Sequence, residues 1–309
     1  MQTRLPRRTI CLLGGTGFIG RHVAGRLVAL GHDVTVLTRA RDRHKDMLVL
    51  PTARLLQGDP YSATELVSAM RRADSVVNLI GIANERGRDG RGFHRAHVEC
   101  TEKALAACRD AGIRRFIQMS ALRADPAGSS HYLRSKGVAE EHVRESDLDW
   151  TILQPSIVFG REDDFINRFV RLLRRLPVLP LAKANTRLAP VFVGDVAAAV
   201  VRSLEEPGAS HQTFQLCGPQ VYSLREIVRL IGRLAGKERP VLRLSPTLGK
   251  IQARLMEFFP GKPFSSDNFL TLSTHNICDS GAPGLTDLGI VPTHLEPEVS
   301  RYLRIGTVD

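Results

Sequence analysis

Short apolar runs alternate with helical stripes through the first half of the chain. Each run has the length and the β-branched or aliphatic composition of a buried strand, and polar residues with apolar positions three to four apart follow it. The predicted strands are 9–13, 33–38, 53–57, 75–80, 115–119 and 150–154, and the clearest helices between them are 62–72, 93–111 and 131–145. This alternation predicts an α/β fold, a Rossmann-type doubly wound parallel sheet.

The pattern changes after Pro155. The Ser223–Glu226 pair forms a capping box that predicts a helix ending at Gly236, and Asp195 is expected to cap a helix over 196–204. Pro and Gly breaks separate the other predicted elements, a short strand at 189–193 and helices at 164–175, 246–259, 265–272 and 295–304. We therefore expect two domains. Residues 1–159 with about 189–217 form the nucleotide-binding domain, and about 160–188 with 218–309 form a smaller C-terminal substrate domain.

A glycine-rich turn follows the first predicted strand and opens onto a helical stripe. Its residues are Gly14, Gly15, Thr16, Gly17, Phe18, Ile19 and Gly20. The G-x-G-x-x-G spacing is typical of dinucleotide-binding turns, in which glycines allow a tight turn and close backbone approach to a pyrophosphate. The free N–H groups and the dipole at the helix start then hold the phosphates.

The second strand ends in Arg39, with Arg43 close behind. In dinucleotide folds an acidic residue at this point accepts the ribose 2′-OH of NAD. Guanidinium groups suit the 2′-phosphate of NADP instead, so the sequence predicts a preference for NADP(H), with NAD(H) and a merely basic loop as open alternatives.

Tyr132 and Lys136 lie four residues apart in a predicted helix, so they are neighbours on one face. An adjacent ammonium is expected to lower the pKa of the phenol. Such a tyrosine exchanges a proton with a substrate oxygen during hydride transfer, whereas the structural alternative is a cation–aromatic pair on a helix surface.

Composition narrows the function further. Lys and Arg total 43 against 32 Asp and Glu, a formal net charge of +11 that favours anionic partners, but no nucleic-acid-binding motif is present. The five cysteines show no metal-ligand spacing, and neither do His22, His94, His97, His131 and His142. We expect the cysteines to be buried thiols of a reducing compartment, the histidines to be solvated or capping, and the protein to be cytoplasmic.

The segment 248–259 has an apolar stripe flanked by Lys250 and Arg254, formed by Leu248, Ile251, Leu255 and Phe259. We expect a core helix of the substrate domain. The alternative is that the stripe lines a lipophilic substrate site or rests on an anionic membrane.

With these residues in place, the chain resembles the short-chain dehydrogenases/reductases in their extended and atypical branches. The resemblance is carried by the turn 14–20, Asp59, Asn78 to Gly81, Tyr132 with Lys136, and Asp195. Within that family it is similar to the branch of the nucleotide-binding accessory subunit of respiratory complex I and its bacterial relatives, through residues 119–122, 155–160, 162–169 and 191–196.

The resemblance implies roles for further residues. Asp59, Asn78 and Gly81 join the cofactor site, Lys136 also holds the nicotinamide ribose, and Pro155 and Ser156 meet the carboxamide. Ser120 is nearest to the family's substrate-polarising hydroxyl. Two departures are a gap of only twelve residues between Ser120 and Tyr132, and His97 where the family has a supporting asparagine.

We therefore expect an oxidoreductase, epimerase or dehydratase that uses the Tyr–Lys pair and a nicotinamide cofactor on a small-molecule substrate, with a lipophilic substrate open. The alternative is a non-catalytic NADPH-binding subunit of a respiratory or quinone-related complex, peripheral to the inner face of a membrane, as the resemblance implies for the accessory subunit.

Overall fold

The computed structural model describes residues 7–259 and 262–305, and its centre is a parallel sheet of seven strands. The strands are β1 (Thr9–Leu13), β2 (Asp33–Thr38), β3 (Ala53–Gln57), β4 (Ser75–Asn78), β5 (Arg115–Met119), β6 (Asp149–Pro155) and β11 (Gln212–Leu216). Their order in the sheet is β11-β6-β5-β4-β1-β2-β3, so the direction of winding reverses between β1 and β4. Six of them confirm the apolar runs of the sequence.

Helices cover both faces of this sheet, as expected for a doubly wound fold. Successive strand residues point to opposite faces, so Ile10 and Leu12 enter one core while Cys11 and Leu13 enter the other. Helices α1 (Phe18–Ala29) and α7 (Val193–Glu205) pack on the first face. The second is covered by α2 (Ala63–Met70), α4 (Cys100–Asp110) and α5 (His131–Arg144).

The helix predicted over 93–111 is interrupted. A short helix α3 (Arg91–His94) runs into a π-helical turn, Arg95–Glu99, before α4 begins. Single π turns inside helices are frequent at functional sites, and this one carries His97.

A third core gathers the elements after β6. It joins α6 (Asp164–Arg175), α8 (Leu224–Leu234) and α11 (Leu295–Ile305) with β8 (Leu179–Leu181) and β13 (Val241–Arg243). Two more strand pairs lie here, β7 (Val158–Phe159) with β10 (Val191–Phe192) and β9 (Arg187–Leu188) with β12 (Tyr222–Ser223).

The local cap predictions have mixed outcomes. The Ser223–Glu226 capping box at α8 is confirmed. Asp195 is not a cap, because α7 already begins at Val193, and its carboxylate accepts hydrogen bonds from the backbone and hydroxyl of Thr293 at 2.7 and 2.9 Å. Ser62 caps α2, but Glu65 accepts from the backbone N–H of Asp59.

The prediction that 246–259 is a core helix through its apolar stripe is wrong. Helix α9 (Pro246–Met256) packs instead through Gly249 and Ala253, against Ala182 and Phe269. The stripe faces outward, with Leu248, Ile251, Leu255 and Phe259 between 50 and 59% exposed. Small residues on the opposite face let α9 lie close to its neighbour α10 (Ser266–Thr271).

The expectation of five buried thiols also needs correction. Cys217 and Cys278 form a disulfide with a Cα–Cα distance of 6.0 Å, whereas Cys11, Cys100 and Cys108 are buried free thiols. The partners are 61 residues apart, and no sequence motif marks them as a pair.

Candidate nucleotide and substrate site

The glycine-rich turn joins β1 to α1 at the point where the sheet changes its direction of winding. Gly14 has a left-handed φ of 75°, and a Cβ there would lie 2.9 Å from the backbone nitrogen of Ile80. A Cβ on Gly20 would clash with the backbone of Gly14 and Gly15. Glycine is therefore required at both positions, by conformation at the first and by close packing at the second.

Helix α1 begins just after this turn. Gly17 is its N-cap, no side chain caps it among the described residues, and its first turn has no acidic residue. Its N-terminal N–H groups and its dipole are thus available to an anion outside the carboxyl ends of β1 and β4. Arg21 lies in the same turn but donates to the carbonyl of Thr16 at 3.0 Å and pairs with Asp46.

Beyond the turn, basic side chains lie at the end of β2. Arg39 and Arg43 are exposed, and neither forms an ion pair with any residue that the structure describes. Asp59 lies close by, because the N–H of Gly58, just after β3, donates a hydrogen bond to the carbonyl of Thr38 at the end of β2, at 2.9 Å. Two exposed arginines, Arg39 and Arg43, and the carboxylate of Asp59 therefore lie beyond the glycine-rich turn.

A cavity of about 350 Å³ opens at the carboxyl edge of the sheet, next to this turn. It brings together seven of the residues singled out in the sequence, namely Ile19, Gly81, Ser120, Tyr132, Lys136, Pro155 and Ser156. The rest of the glycine turn, Arg39, Arg43 and Asp59 lie outside it. Asn78 is also outside, because it is buried in a network with Thr101 and Gln118 and accepts the backbone N–H of Ile80.

Tyr132 lies in the first turn of α5, whose start is held twice. Ser130 caps the helix through the N–H of Leu133, and Asp267 accepts the backbone N–H groups of His131 and Tyr132 at 2.7 and 3.3 Å. Burial, and then the nearby charge of Asp267, raise the pKa of Tyr132 to about 12. The expected lowering of this pKa by Lys136 is therefore wrong.

Lys136 is 5% exposed, and its Nζ donates a hydrogen bond to the carbonyl oxygen of Met119 at 3.0 Å. Burial lowers the pKa of Lys136 to about 8, since the charged form loses its hydration. A Cβ on Gly81 would lie 3.2 Å from this Nζ, so the glycine leaves space in front of the ammonium group.

His97 is neither solvated nor a cap, which corrects the expectation from sequence. Its Nε2 accepts the backbone N–H of Ile82 at 3.1 Å, so Nδ1 carries the proton and donates to the Ser135 hydroxyl at 2.8 Å. That hydroxyl donates to the carbonyl of Tyr132 at 2.9 Å. Burial and the charge of Lys136 hold the pKa of His97 well below its usual range, so the ring is neutral.

Two serines complete the polar part of the cavity. The hydroxyl of Ser120 is buried and has no hydrogen-bond partner among the described residues. Ser156 donates to Oδ1 of Asn276 at 2.6 Å, and the same oxygen accepts the backbone N–H of Ile157 at 3.2 Å. Sequence reasoning missed Asn276 and Asp267, because both come from the chain after residue 260 and no motif surrounds them.

A glycine-rich turn at the start of a helix, a switch in winding direction and a polar cavity beside it are the features of a nucleotide-binding Rossmann protein. The family model for NAD(P)H-binding proteins matches residues 14–207, and the chain belongs to that family. It is 31% identical to the mitochondrial NADH dehydrogenase [ubiquinone] 1 alpha subcomplex subunit 9 of Mus musculus, over 95% of this chain and 79% of that protein.

Other relatives include enzymes. The chain is 29% identical to the ceramide reductase of Caulobacter vibrioides, over 77% of this chain and 74% of that protein. Its fold is similar to that of the UDP-glucose 4-epimerase of Thermotoga maritima, with a TM-score of 0.74, 17% identity, and coverage of 96% and 99% of the two chains. The last comparison shows that the two proteins share a fold.

Neither a metal site nor a membrane-spanning helix is found in residues 7–259 and 262–305. No group of three or more His, Cys, Asp or Glu side chains there could hold a metal ion. No helix in the same ranges is long and apolar enough to cross a membrane.

Proposed function

We propose that this protein is an NADP(H)-dependent oxidoreductase that acts on a lipophilic carbonyl compound or the corresponding alcohol. The observation that carries the proposal is the cavity in which Tyr132, Lys136 and the Ser120 hydroxyl meet, the last without a hydrogen-bond partner in the described part of the chain. In this proposal about 160–188 and 218–309 form the substrate domain.

The residues present fit a dinucleotide. The turn Gly14 to Gly20 and the start of α1 would hold the pyrophosphate. Arg39 and Arg43, whose guanidinium groups have no ion pair with any described residue, would bind a 2′-phosphate. Lys136, Gly81 and Ser156 line the cavity where the nicotinamide ribose and the carboxamide would lie. The bound nicotinamide ring supplies or accepts a hydride.

The chain's own groups then handle the proton. With a pKa raised to about 12, Tyr132 is a neutral phenol at pH 7, so it can donate its proton to the oxygen of a carbonyl substrate. The ammonium of Lys136 stabilises the phenolate left behind, and the Ser120 hydroxyl can donate a hydrogen bond to the same substrate oxygen. This protonation state favours the direction of reduction.

The lining of the cavity supports a lipophilic substrate. Most of its wall is apolar, with Leu79, Ile82, Met119, Leu122 and Leu188 among the contributors. A wall of this kind binds an acyl or alkyl chain and leaves orientation to a few polar groups. The relative from Caulobacter vibrioides that is called a ceramide reductase agrees with this class of substrate.

Substitution of the phenol tests the catalytic step. We expect Tyr132→Phe to bind NADPH as the wild type does but to reduce long-chain ketones at least about a hundredfold more slowly, since general acid catalysis contributes 10²–10⁴-fold. Product formation by mass spectrometry and NADPH binding by fluorescence give both readouts. Equal rates in the two proteins would contradict the proposal.

The cofactor preference has a separate test. Losing a charge-assisted contact with the 2′-phosphate costs about 1.5–3 kcal/mol, so Arg39→Asp should weaken NADPH binding by about one to two orders of magnitude and leave NADH unaffected or improved. Arg72→Asp, an exposed site elsewhere, controls for the change in net charge. Equal affinities of the wild type for NADPH and NADH would overturn the preference.

The second candidate function is an NADPH-binding subunit, without turnover, of a respiratory or quinone-related membrane complex, at the inner face of the membrane. The resemblance to the mouse complex I subunit along 95% of the chain favours it. Under this alternative, NADPH binds and stabilises the protein, Tyr132→Phe changes nothing, and the protein comigrates with a large complex in native gels of solubilised membranes.

A further inference from the structure

The apolar stripe of α9 has no covering among the residues that the structure describes. It runs on past the end of the helix, with Phe258 73% and Phe259 59% exposed. Gly249 and Ala253, which pack on the rest of the protein, lie on a different side of the helix from Leu248, Ile251 and Leu255. The five outward residues of this docking face, Leu248, Ile251, Leu255, Phe258 and Phe259, are too many and too close together to be scattered surface hydrophobics.

Cations lie beside the docking face on α9 and near its two ends. Lys250 and Arg254 lie on α9 itself, and Arg243 precedes it by three residues. Arg86 comes from the loop that Lys262 ties to this region through the carbonyls of Glu85, Arg86 and Gly87. None of these four (Arg86, Arg243, Lys250 and Arg254) forms an ion pair within the described chain.

The acidic residue next to Phe258 in the chain, Glu257, is held in an ion pair. Glu257 is 9% exposed, it pairs with Arg88 at 2.9 Å, and the guanidinium of Arg88 lies over the ring of Phe258 at 4.8 Å. The rim of the docking face is therefore positive, while its centre is aliphatic and aromatic.

We infer that the docking face binds the surface of an anionic membrane, with α9 parallel to the lipid plane. Two adjacent phenylalanines at the helix end and cations beside the stripe match an interfacial helix, whose side chains enter the acyl boundary while Lys and Arg contact lipid phosphates. The charge complementarity favours lipid over a second copy of this chain, because two copies would bring the same positive rims together.

This contact goes beyond the proposed function and does not depend on turnover. It also connects to the cavity through one helix, because Gly249 of α9 packs on Phe269 of α10, and Thr271 of α10 lines the cavity. Membrane binding thus holds the element next to the cavity near a source of lipophilic molecules.

The test is sedimentation of the full chain with vesicles of phosphatidylcholine, alone or with a third of phosphatidylglycerol, at low and high salt. Ile251→Asp with Leu255→Asp removes the centre of the face, and Lys250→Glu with Arg254→Glu reverses its rim. The matched controls are Val49→Asp with Val291→Asp, which are 80 and 88% exposed elsewhere, and Arg71→Glu with Arg72→Glu.

We expect binding to the anionic vesicles at low salt, weakened by high salt, and at least about tenfold weaker in both face variants while both controls bind as the wild type does. If the control variants lose as much binding as the face variants do, the binding reflects only the general attraction of a protein of charge +11 to anionic lipid. That result would overturn the inference.

Two other outcomes also overturn it. Binding to native membranes but not to vesicles of their extracted lipids would assign the face to a protein partner. A dimer in analytical ultracentrifugation that Ile251→Asp with Leu255→Asp dissociates would assign it to a second copy. NADPH binding, measured on the same variants, shows that they fold.

Discussion

Lys136 is the residue at which function and stability conflict most directly. Its side chain is buried, its ammonium has one hydrogen bond to the Met119 carbonyl, and burial lowers its pKa from 10.5 to about 8. The unfolded chain therefore binds this proton more tightly than the native protein does. A difference of this size costs roughly 3 kcal/mol of stability at neutral pH, when the group is charged in both states.

We expect Lys136→Met to be more stable than the wild type at pH 7, by about 1–3 kcal/mol, because the substitution keeps the apolar stem and removes the buried charge. Between pH 8 and 10.5 the native lysine is neutral while the unfolded one is charged, so the wild type gains stability as pH rises. The difference between the two proteins should shrink across this window, which urea unfolding at pH 7, 8, 9 and 10 measures.

The exposed substitution Lys103→Met is the control for the loss of one charge. Burial raises the pKa values of the buried thiols, so they lower the stability as pH rises. Because these thiols are present in both proteins, their contribution cancels when the stabilities of the two proteins are subtracted. A difference that does not change with pH would show that Lys136 is not the source of the effect.

Asn276 acts on the site indirectly, through the hydrogen bonds that it accepts from Ser156 and Ile157. Its Oδ1 accepts hydrogen bonds from the Ser156 hydroxyl and the Ile157 N–H, so Asn276→Ala leaves the Ile157 N–H without its partner and Ser156 with only the backbone carbonyl of residue 276, at 3.2 Å. We expect a loss of about 1–2 kcal/mol in stability and NADPH binding weaker by about fivefold, if Ser156 is positioned for the carboxamide. Titration by fluorescence, with the exposed Ser280→Ala as control, measures it, and unchanged binding would remove Asn276 from the site.

At the scale of elements, α5 fixes the geometry of the Tyr–Lys pair by its close approach to the segment Asp125–Pro126. A Cβ on Gly137 would clash with the backbone of both residues, so glycine is required there although it weakens a helix interior. Gly25 in α1 is the opposite case, because a Cβ there meets nothing within 4 Å.

Substitution by alanine should therefore change the free energy of unfolding in opposite directions at these two glycines. Gly25→Ala should stabilise the protein by about 0.5–1 kcal/mol through helix propensity alone. Gly137→Ala should destabilise it by several times that amount, since backbone must shift, and should slow turnover by displacing Tyr132 and Lys136. Denaturant midpoints of the two variants, compared with wild type, decide it. A stabilising Gly137→Ala would show that the approach of α5 to this segment is looser.

The elements that the sequence predicts well are those with one dominant local signal. The runs at 9–13 and 115–119 carry apolar residues on both faces, as buried parallel strands do, and the glycine turn has a backbone requirement that few other residues meet. Strand β11 was missed because it is an edge strand, in which only Phe214 and Leu216 are buried. The stripe of α9 has helical spacing whether it faces protein or lipid, so its orientation depends on what packs against Gly249.

Local signals also decide how much of the candidate site could be predicted. Tyr132 and Lys136 share one helix, and the chain order of a parallel sheet brings strand ends such as Ser120 and Pro155 to one edge. The pKa of Tyr132 was mispredicted because burial outweighs the lysine, and burial is not visible along a sequence. Asp267 lies 135 residues from Tyr132, so only the folded chain shows that it fixes the start of α5.

At the scale of the whole molecule, one segment after α10 connects the main sheet to the cavity wall. Cys278 is bonded to Cys217 at the end of β11, and Asp279 next to it exchanges hydrogen bonds with Gln215 and pairs with Arg123 at 2.8 Å. The same segment carries Asn276. The disulfide thus holds the residue that contacts Ser156 against the edge of the sheet.

Reduction of this disulfide should destabilise the protein as a whole. Closing a loop between residues 61 apart restricts the unfolded chain by roughly 4 kcal/mol in the chain-entropy model. We expect reductant to lower the unfolding temperature of the wild type by several degrees, and Cys217→Ser with Cys278→Ser to unfold at that lower temperature regardless of reductant. Thiol titration of the denatured protein should count three thiols without reductant and five with it. Five thiols in both conditions would show that Cys217 and Cys278 are not joined.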